Sequence, residues 1–174
     1  MGEQDSVSAV TGLPNIKRYI TDVDGEGRAI FSEAIDENLE LKELNLIPFG
    51  SKESARAAVA YATNSFPTTL NNQADIKAYS EFTANPPGVY VPNGSVLRYI
   101  DFPPASKSPM HATKSLDYAI VLEGKVIAIL DDGQERTMSR GDVLVQRGTN
   151  HGWANASSTE WARMVYVLLD SHEV

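Results

Sequence analysis

The second half of the chain alternates apolar and polar residues over short stretches that end at glycine, proline or aspartate. This period of two is the pattern of β-strands with one buried face, and the stretches are too short for amphipathic helices. Short strands at near-regular spacing favour an all-β fold, either an antiparallel sandwich or a barrel. From residue 95 onward we predict seven strands, at residues 95–102, 118–122, 125–130, 135–138, 143–146, 151–154 and 163–169.

The first half of the chain has a weaker pattern. Residues 17–21 and 28–32 predict the two strands of a hairpin, because Asp24-Gly25-Glu26-Gly27 between them is a turn signal. Residues 55–62 form an apolar run that we interpret as an extended segment. Residues 75–79 predict a short turn of helix within a polar stretch.

The length and composition of the chain restrict its domain organisation and its partners. A chain of 174 residues predicts one domain, which we divide into an N-terminal extension with added strands (residues 1–85) and a barrel (residues 86–174). The net charge of −8 argues against nucleic acid as a partner. No apolar run approaches the roughly 18 residues of a membrane span, so we expect no membrane partner and a cytoplasmic protein.

The absence of cysteine directs attention to histidine and the carboxylates as chemical groups. In an extended segment, His111, Thr113, Ser115 and Asp117 have the same parity and point the same way. A barrel packed only for stability has no need of such a polar row. Antiparallel pairing could bring His151 beside the His111 segment.

Two imidazoles and one carboxylate allow two kinds of chemistry. His111, Asp117 and His151 form a ligand set without thiolates for Fe, Mn, Ni or Zn, with positions left open for substrate or water. The same three residues could instead serve as a metal-free acid/base group, with a histidine as proton shuttle and Asp117 orienting it. The sequence leaves both open, so the cofactor is a divalent metal or none.

Two segments around these histidines resemble the two sequence motifs of the cupin family. The resemblance covers about a third of the chain, and the two motifs occur in the family's order and separation. The first segment is His111-Ala112-Thr113, three residues, Asp117, six residues and Gly124. The second segment is Gly141, then Gln146-Arg147-Gly148, two residues, His151, three residues and Asn155.

The chain departs from the cupin motifs at three positions. Thr113 stands where the family has a second histidine, Asp117 replaces a glutamate, and Gln146 replaces a proline. The resemblance implies that His111, Asp117 and His151 would be the metal ligands, with Thr113 making at most a weak or water-mediated contact. It also implies a double-stranded β-helix, the cupin jelly-roll barrel, and a homodimer.

The resemblance further implies an enzyme that acts on a small organic molecule. The segment from Ser115 to Trp153 is similar to single-domain cupins common in fungal secondary-metabolite pathways and in bacteria. Because one imidazole is missing, we expect a non-redox step on a polyketide, aromatic or carboxylated metabolite: dehydration, decarboxylation, isomerisation or cyclisation, by a lyase- or isomerase-type enzyme. The alternatives are a metal-dependent (Fe, Ni or Mn) dioxygenase and a non-catalytic cupin that binds a small molecule.

Five further residues are candidates for substrate binding. Tyr99 shares a face of its strand with Asp101, and Arg98 takes the opposite face. Trp153 shares a face with His151 and could stack on a flat substrate, although a core role fits equally well. Arg163 could reach a substrate carboxylate. The five candidates are Thr113, Tyr99, Arg98, Trp153 and Arg163.

Overall fold

Strands dominate the structure, a computed structural model that describes residues 6–44 and 51–172. One helix, α1 (Ala74–Ala84), follows a single 3-10 turn (Asn71–Gln73). The strands are β1 (Ile16–Lys17), β2 (Thr21–Val23), β3 (Ala29–Phe31), β4 (Asn38–Leu39), β5 (Lys42–Glu43), β6 (Arg56–Thr63), β7 (Ser95–Phe102), β8 (Ser115–Glu123), β9 (Lys125–Leu130), β10 (Glu135–Ser139), β11 (Val143–Arg147), β12 (His151–Asn155) and β13 (Ala162–Asp170).

Two sheets enclose the core. The larger sheet has the strand order β11-β8-β13-β7-β6-β5, and the smaller has the order β10-β9-β12. Apolar side chains of both sheets form one buried cluster, and the rings of Trp153 on β12 and Tyr166 on β13 meet edge to face across it at 5.7 Å. The all-β jelly-roll architecture expected from the sequence is confirmed.

The seven strands predicted after residue 95 are all present, as β7 to β13. The largest difference is at β8, which begins at Ser115 instead of residue 118. Ser115 and Asp117 are polar, but they point into the barrel and pair with Asp170 and Leu168 of β13. A strand whose interior residues include hydroxyl and carboxyl groups does not show the alternation on which the prediction depended.

The N-terminal hairpin is shorter than its predicted form. The turn lies where expected, but its strands are β2 and β3, so the prediction of a first strand over residues 17–21 is wrong. The Asp24 carboxylate accepts the backbone N–H groups of Glu26 and Arg28, both at 2.9 Å, and this tight turn pairs its immediate neighbours. Lys17 lies instead in β1, which pairs with β4.

Residues before 85 also cover the barrel. The extended segment predicted at residues 55–62 is confirmed as β6, which pairs with β7 in the larger sheet. The predicted helical turn lies in the first half of the longer helix α1, whose Tyr79 is buried and donates its hydroxyl to the Val59 carbonyl at 2.8 Å. Within the described residues, no helix is both long enough and apolar enough to cross a membrane.

A buried ion pair joins β7 and β13 on the face of the larger sheet that points away from the core. Asp101 and Arg163 are cross-strand partners, and the guanidinium meets the carboxylate through two contacts of 2.6 and 2.7 Å. Arg163 also donates to the carbonyl of Pro14. The pair therefore ties the N-terminal segment to the barrel.

We expect Asp101→Ala to lower the free energy of unfolding by about 3–5 kcal/mol, because it leaves a buried guanidinium without its counter-charge. Urea unfolding followed by circular dichroism measures the loss. Glu43→Ala is the control, since it breaks an exposed pair with Arg56 and should cost less than about 1 kcal/mol. The double variant Asp101→Leu/Arg163→Met should lose less than Asp101→Ala alone. An equal loss in the double variant would contradict this account.

Candidate active site

A cavity of about 340 Å³ lies inside the barrel between the two sheets. Most of its wall is apolar and comes from β7, β8, β12 and β13. Polar groups reach it from strand interiors and from the loop between β7 and β8. The principal ones are Arg98, His111, Thr113, Asp117, Gln146 and His151.

His151 lies at the start of β12 and is buried in the cavity wall. Its Nδ1 is 2.9 Å from the Thr149 carbonyl oxygen, which can only accept, and this contact favours the tautomer with the proton on Nδ1. Nε2 is then left with its lone pair. Burial lowers the pKa of His151, and the nearby His111 lowers it further, against the opposing effect of the Thr149 carbonyl. The ring is therefore a neutral base at neutral pH.

His111 is held beside His151 by backbone contacts. The two residues exchange a pair of hydrogen bonds, from the His111 N–H to the His151 carbonyl at 2.8 Å and from the His151 N–H to the His111 carbonyl at 2.9 Å. Their rings lie 4.4 Å apart between centroids. His111 precedes β8 on a loop and is exposed, with Nδ1 3.0 Å from the Pro109 carbonyl. The pairing anticipated from the sequence is thus confirmed, although only as an isolated bridge.

Gly152 leaves room on β12 for the side chain of Met110 in this loop. A Cβ atom at Gly152 would lie 2.8 Å from the sulfur of Met110, the residue before His111. Asn155, the last residue of the second motif, anchors the start of the loop by donating to the carbonyls of Phe102 and Pro103 at 3.0 and 3.1 Å.

Asp117 lies on the interior face of β8, where it is almost completely buried. Its Oδ1 has no hydrogen-bond partner among the described residues. Burial raises the pKa of Asp117, and the Ser115 hydroxyl and His111 oppose this only in part. The Ser115 hydroxyl lies close enough to favour the charged form, but it does not close a hydrogen bond of good geometry. Burial therefore shifts the equilibrium of this carboxyl group toward its protonated form.

Gln146 connects the two motifs, and this role could not be read from the sequence, where it appeared only as a substitute for proline. It is the cross-strand partner of Asp117 and is almost fully buried. Its amide donates to the Thr149 carbonyl at 2.6 Å and lies 3.1 Å from Nδ1 of His151. The same carbonyl therefore fixes both side chains. The one signal in the sequence is parity: in an extended strand, Gln146 points to the face opposite Val143 and Val145, which are exposed.

The substrate-binding candidates fall on two sides of the larger sheet. Arg98, Thr113 and Trp153 line the cavity, and the Trp153 ring stands edge-on to His151 at 5.5 Å. Tyr99 takes the opposite face of β7 and is not part of the cavity wall. Arg163 also lies outside it, where it is engaged by Asp101.

The metal-ligand hypothesis places its three residues around this cavity. The described part of the chain contains no group of three or more His, Cys, Asp or Glu side chains that could hold a metal ion. His111 and His151 each turn Nδ1 toward a carbonyl, an arrangement that leaves Nε2 for a ligand. Asp117 does not converge with them, so the residues do not fit a three-ligand centre.

Comparisons with known proteins agree with this architecture. The family model described as a cupin domain matches residues 98–168. The chain is 43% identical over 171 residues to the phomopsin biosynthesis cluster protein D of Diaporthe leptostromiformis, covering 98% of this chain and 86% of that protein. It is 41% identical over 170 residues to the cupin-domain-containing oxidoreductase fogC of Aspergillus ruber, covering 95% and 77%. It is also similar to the solved structure of the polyketide cyclase RemF from Streptomyces resistomycificus, with 18% identity, a TM-score of 0.49 and coverage of 76% and 75%.

We expect Asp117→Asn to stabilise the protein at neutral pH. Below the ordinary pKa of 3.8 the carboxyl is protonated in both the folded and the unfolded chain, so wild type and variant should differ little. As the pH rises, the unfolded chain releases this proton more readily than the folded protein, so wild type alone loses stability. The advantage of the variant should grow by about 1.4 kcal/mol for each unit by which the pKa is raised.

Urea unfolding at a series of pH values between 4 and 8 measures this difference. Asp132→Asn is the matched control, because hydrogen bonds to Gln134 lower the pKa of Asp132. The difference in unfolding free energy should therefore have the opposite sign for the control: Asp132→Asn should be less stable than wild type above the ordinary pKa of aspartate. A stability gap between wild type and Asp117→Asn that does not change with pH would contradict the raised pKa of Asp117.

Proposed function

This chain belongs to the cupin family, and we propose that it is an enzyme of fungal secondary metabolism that carries out a non-redox step by proton transfer between Asp117, His151 and a small organic substrate. The relatives reported above support the metabolic setting, because one is named for a fungal biosynthesis cluster. The enclosed, mainly apolar cavity supports a small organic substrate. Dehydration, decarboxylation, isomerisation and cyclisation are the reactions within this proposal.

The observation that carries the proposal is the opposite direction of two pKa shifts in one cavity. Burial raises the pKa of Asp117 and lowers that of His151, so the two pKa values move toward each other. Asp117 therefore keeps its proton to a higher pH than an exposed aspartate, and Nε2 of His151 is the proton acceptor beside it. A proton donor and a proton acceptor that face one cavity are the requirement for concerted proton transfer.

A substrate carbonyl with a hydrogen on the neighbouring carbon fits this pair. Nε2 of His151 removes the proton from carbon as that C–H bond breaks, and Asp117 donates its proton to the carbonyl oxygen. The products are an enol, an imidazolium and a carboxylate, so one proton leaves the substrate and one joins it. The enol can then reprotonate elsewhere, lose a leaving group or close a ring. Gln146 and the Thr149 carbonyl keep the His151 ring in place during these steps.

His111 completes the proton path in this proposal. Its exposed ring lies beside His151 at the cavity mouth, where it exchanges protons with solvent and restores His151 to its neutral form. Thr113 contacts substrate or water from the same loop. Both assignments use side chains that line the cavity.

Incorporation of solvent deuterium tests the proposal without knowledge of the final product. A panel of aryl ketones and β-keto acids with exchangeable α-hydrogens is incubated with the protein in D₂O and analysed by mass spectrometry. His151→Gln and Asp117→Asn should each slow incorporation by about 100-fold or more, because each removes one partner of general acid–base catalysis. His172→Gln is the control, since His172 is exposed in the C-terminal segment, and it should react like wild type.

Two outcomes would contradict the proposal. Exchange that persists in both site variants would show that Asp117 and His151 do not carry the proton. Turnover that consumes oxygen, stops with a chelator and accompanies a stoichiometric metal in the purified protein would identify a different enzyme class.

That second outcome defines the alternative function, a metal-dependent oxidoreductase. Its support is that a relative of 41% identity is named a cupin-domain-containing oxidoreductase. His111 and His151 would hold the Zn, Fe, Mn or Ni ion through Nε2, and the ion would supply Lewis-acid or redox chemistry. A non-catalytic binding protein, the third possibility, would bind panel compounds and leave them without deuterium.

We further propose that the protein forms a homodimer through strand β11. This strand is an edge of the larger sheet, with β8 as its one strand neighbour among the described residues. Its side chains Val143 and Val145 are more than half exposed, next to the partly exposed Tyr118 of β8. An apolar, unpaired edge is a surface that proteins ordinarily cover.

Size-exclusion chromatography with light scattering tests the dimer. Wild type should have the mass of two chains, and Val145→Lys should shift it to one, because a charge would be buried at the interface. Val23→Lys, in the exposed hairpin of β2 and β3, is the matched control and should remain a dimer. A monomeric wild type, or a Val145→Lys variant that stays dimeric, would contradict the proposed interface.

A further inference from the structure

Arg98 is a cation in the cavity wall without a counter-charge. It lies on the interior face of β7, and within the described residues it forms no ion pair. Its Nη2 donates to the Gly88 carbonyl at 2.6 Å, with the Pro87 carbonyl at 3.4 Å. Burial alone lowers the pKa of Arg98, with no carboxylate acting against it. The two backbone carbonyls thus accept hydrogen bonds from one nitrogen only, whereas a guanidinium group has five N–H donors.

The same sheet shows how a buried arginine is otherwise accommodated. Arg163 on β13 is met by the Asp101 carboxylate through two short contacts. A buried charge is costly unless it is paired. Arg98 is only partly buried, so its need for a counter-charge is weaker, and the part of the chain that the structure describes supplies no acid for it. Its contacts with Pro87 and Gly88 use Nη2 alone, which leaves Nε and Nη1 for an anion from outside the protein.

Asp117 does not fill this role. In the sheet register, Arg98 pairs with Tyr166, and Tyr166 pairs with Ala119, two residues beyond Asp117 on β8. Arg98 and Asp117 therefore lie two strands apart, which is about 10 Å across the sheet. They are also offset by two residues, which is about 7 Å along the strands. Arg98 is also absent from the causes that shift the pKa of Asp117. The two groups mark separate places in the cavity, with apolar wall between them.

We propose that Arg98 binds a carboxylate of the substrate, and that the substrate is a flat, largely apolar carboxylic acid whose reacting carbon lies at Asp117 and His151. This inference rests on the proposed function for the reacting end alone. The carboxylate accepts two hydrogen bonds from the planar guanidinium, a geometry that lysine cannot provide. The apolar body lies along the wall that includes Trp153. An aromatic ring system fits the separation between the two ends of the cavity.

Binding of a matched pair of probes tests the inference. 2-Naphthoate and its uncharged analogue 2-naphthamide have nearly the same shape, and their affinities are measured by isothermal titration calorimetry at pH 7 and moderate salt. Wild type should bind the carboxylate at least about tenfold more tightly than the amide. Arg98→Met should weaken naphthoate binding about 10- to 100-fold and change amide binding little, and Arg98→Lys should restore only part of the difference. Arg136→Met, an exposed arginine on β10, is the control and should bind as wild type.

The amide separates anion recognition from a structural role. If Arg98 only fixed the Gly88 loop, Arg98→Met would weaken both probes equally, and the proposal would fail. Equal affinity of wild type for both probes, or no binding of naphthoate at millimolar concentration, would also overturn it. Asp117→Asn separates the two proposals, because it should abolish deuterium incorporation while it retains the preference for naphthoate. A failure of the deuterium experiment would therefore contradict the roles of Asp117 and His151 only. Absence of the preference for naphthoate over naphthamide would contradict the role of Arg98 only.

Discussion

The site depends on two hydrogen bonds between the backbones of His111 and His151. They join the loop after β7 to the first residue of β12, and so bring the two cupin motifs into contact inside the barrel. Gly152 leaves room for the side chain of Met110 in this loop, and the amide of Asn155 fixes the base of the loop on the carbonyls of Phe102 and Pro103. The loop carries His111 and Thr113 to the cavity, so this bridge determines which side chains a substrate meets.

The cavity combines an apolar wall with polar groups that the protein leaves unsatisfied. Asp117 has a carboxyl oxygen without a partner among the described residues, and Arg98 has no counter-ion there. The buried carboxyl of Asp117 costs folding free energy, since buried polar groups are normally paired, whereas Arg98 is only partly buried. Asp101 and Arg163, on the other face of the sheet, show the paired arrangement that a purely structural site adopts. In the functions proposed above, Asp117 and Arg98 act on the substrate, whereas Asp101 and Arg163 stabilise the fold.

Most of the fold could be predicted from the sequence, because the period of two survives wherever one face of a strand is apolar. The prediction failed at the start of β8, because the interior residues Ser115 and Asp117 are polar and interrupt the alternation. For the site, parity correctly separated Arg98 from Tyr99 and Asp101, but it could not say which face was the cavity. The N-terminal segment buries polar groups on the outer face as well, so burial and polarity together do not identify the inside. The contact of Gln146 with the Thr149 carbonyl spans only three residues, but it depends on the backbone conformation of the loop after β11, which the alternation of apolar and polar residues does not specify.

The bridge between His111 and His151 has a consequence for the evolution of this barrel. Its hydrogen bonds are made by main-chain atoms alone, so they do not depend on the side chains at residues 111 and 151. The scaffold therefore separates the backbone contacts that hold the loop from the side chains that face the cavity. In a barrel of this kind, a cavity residue such as Thr113 can change while the bridge that shapes the cavity stays in place.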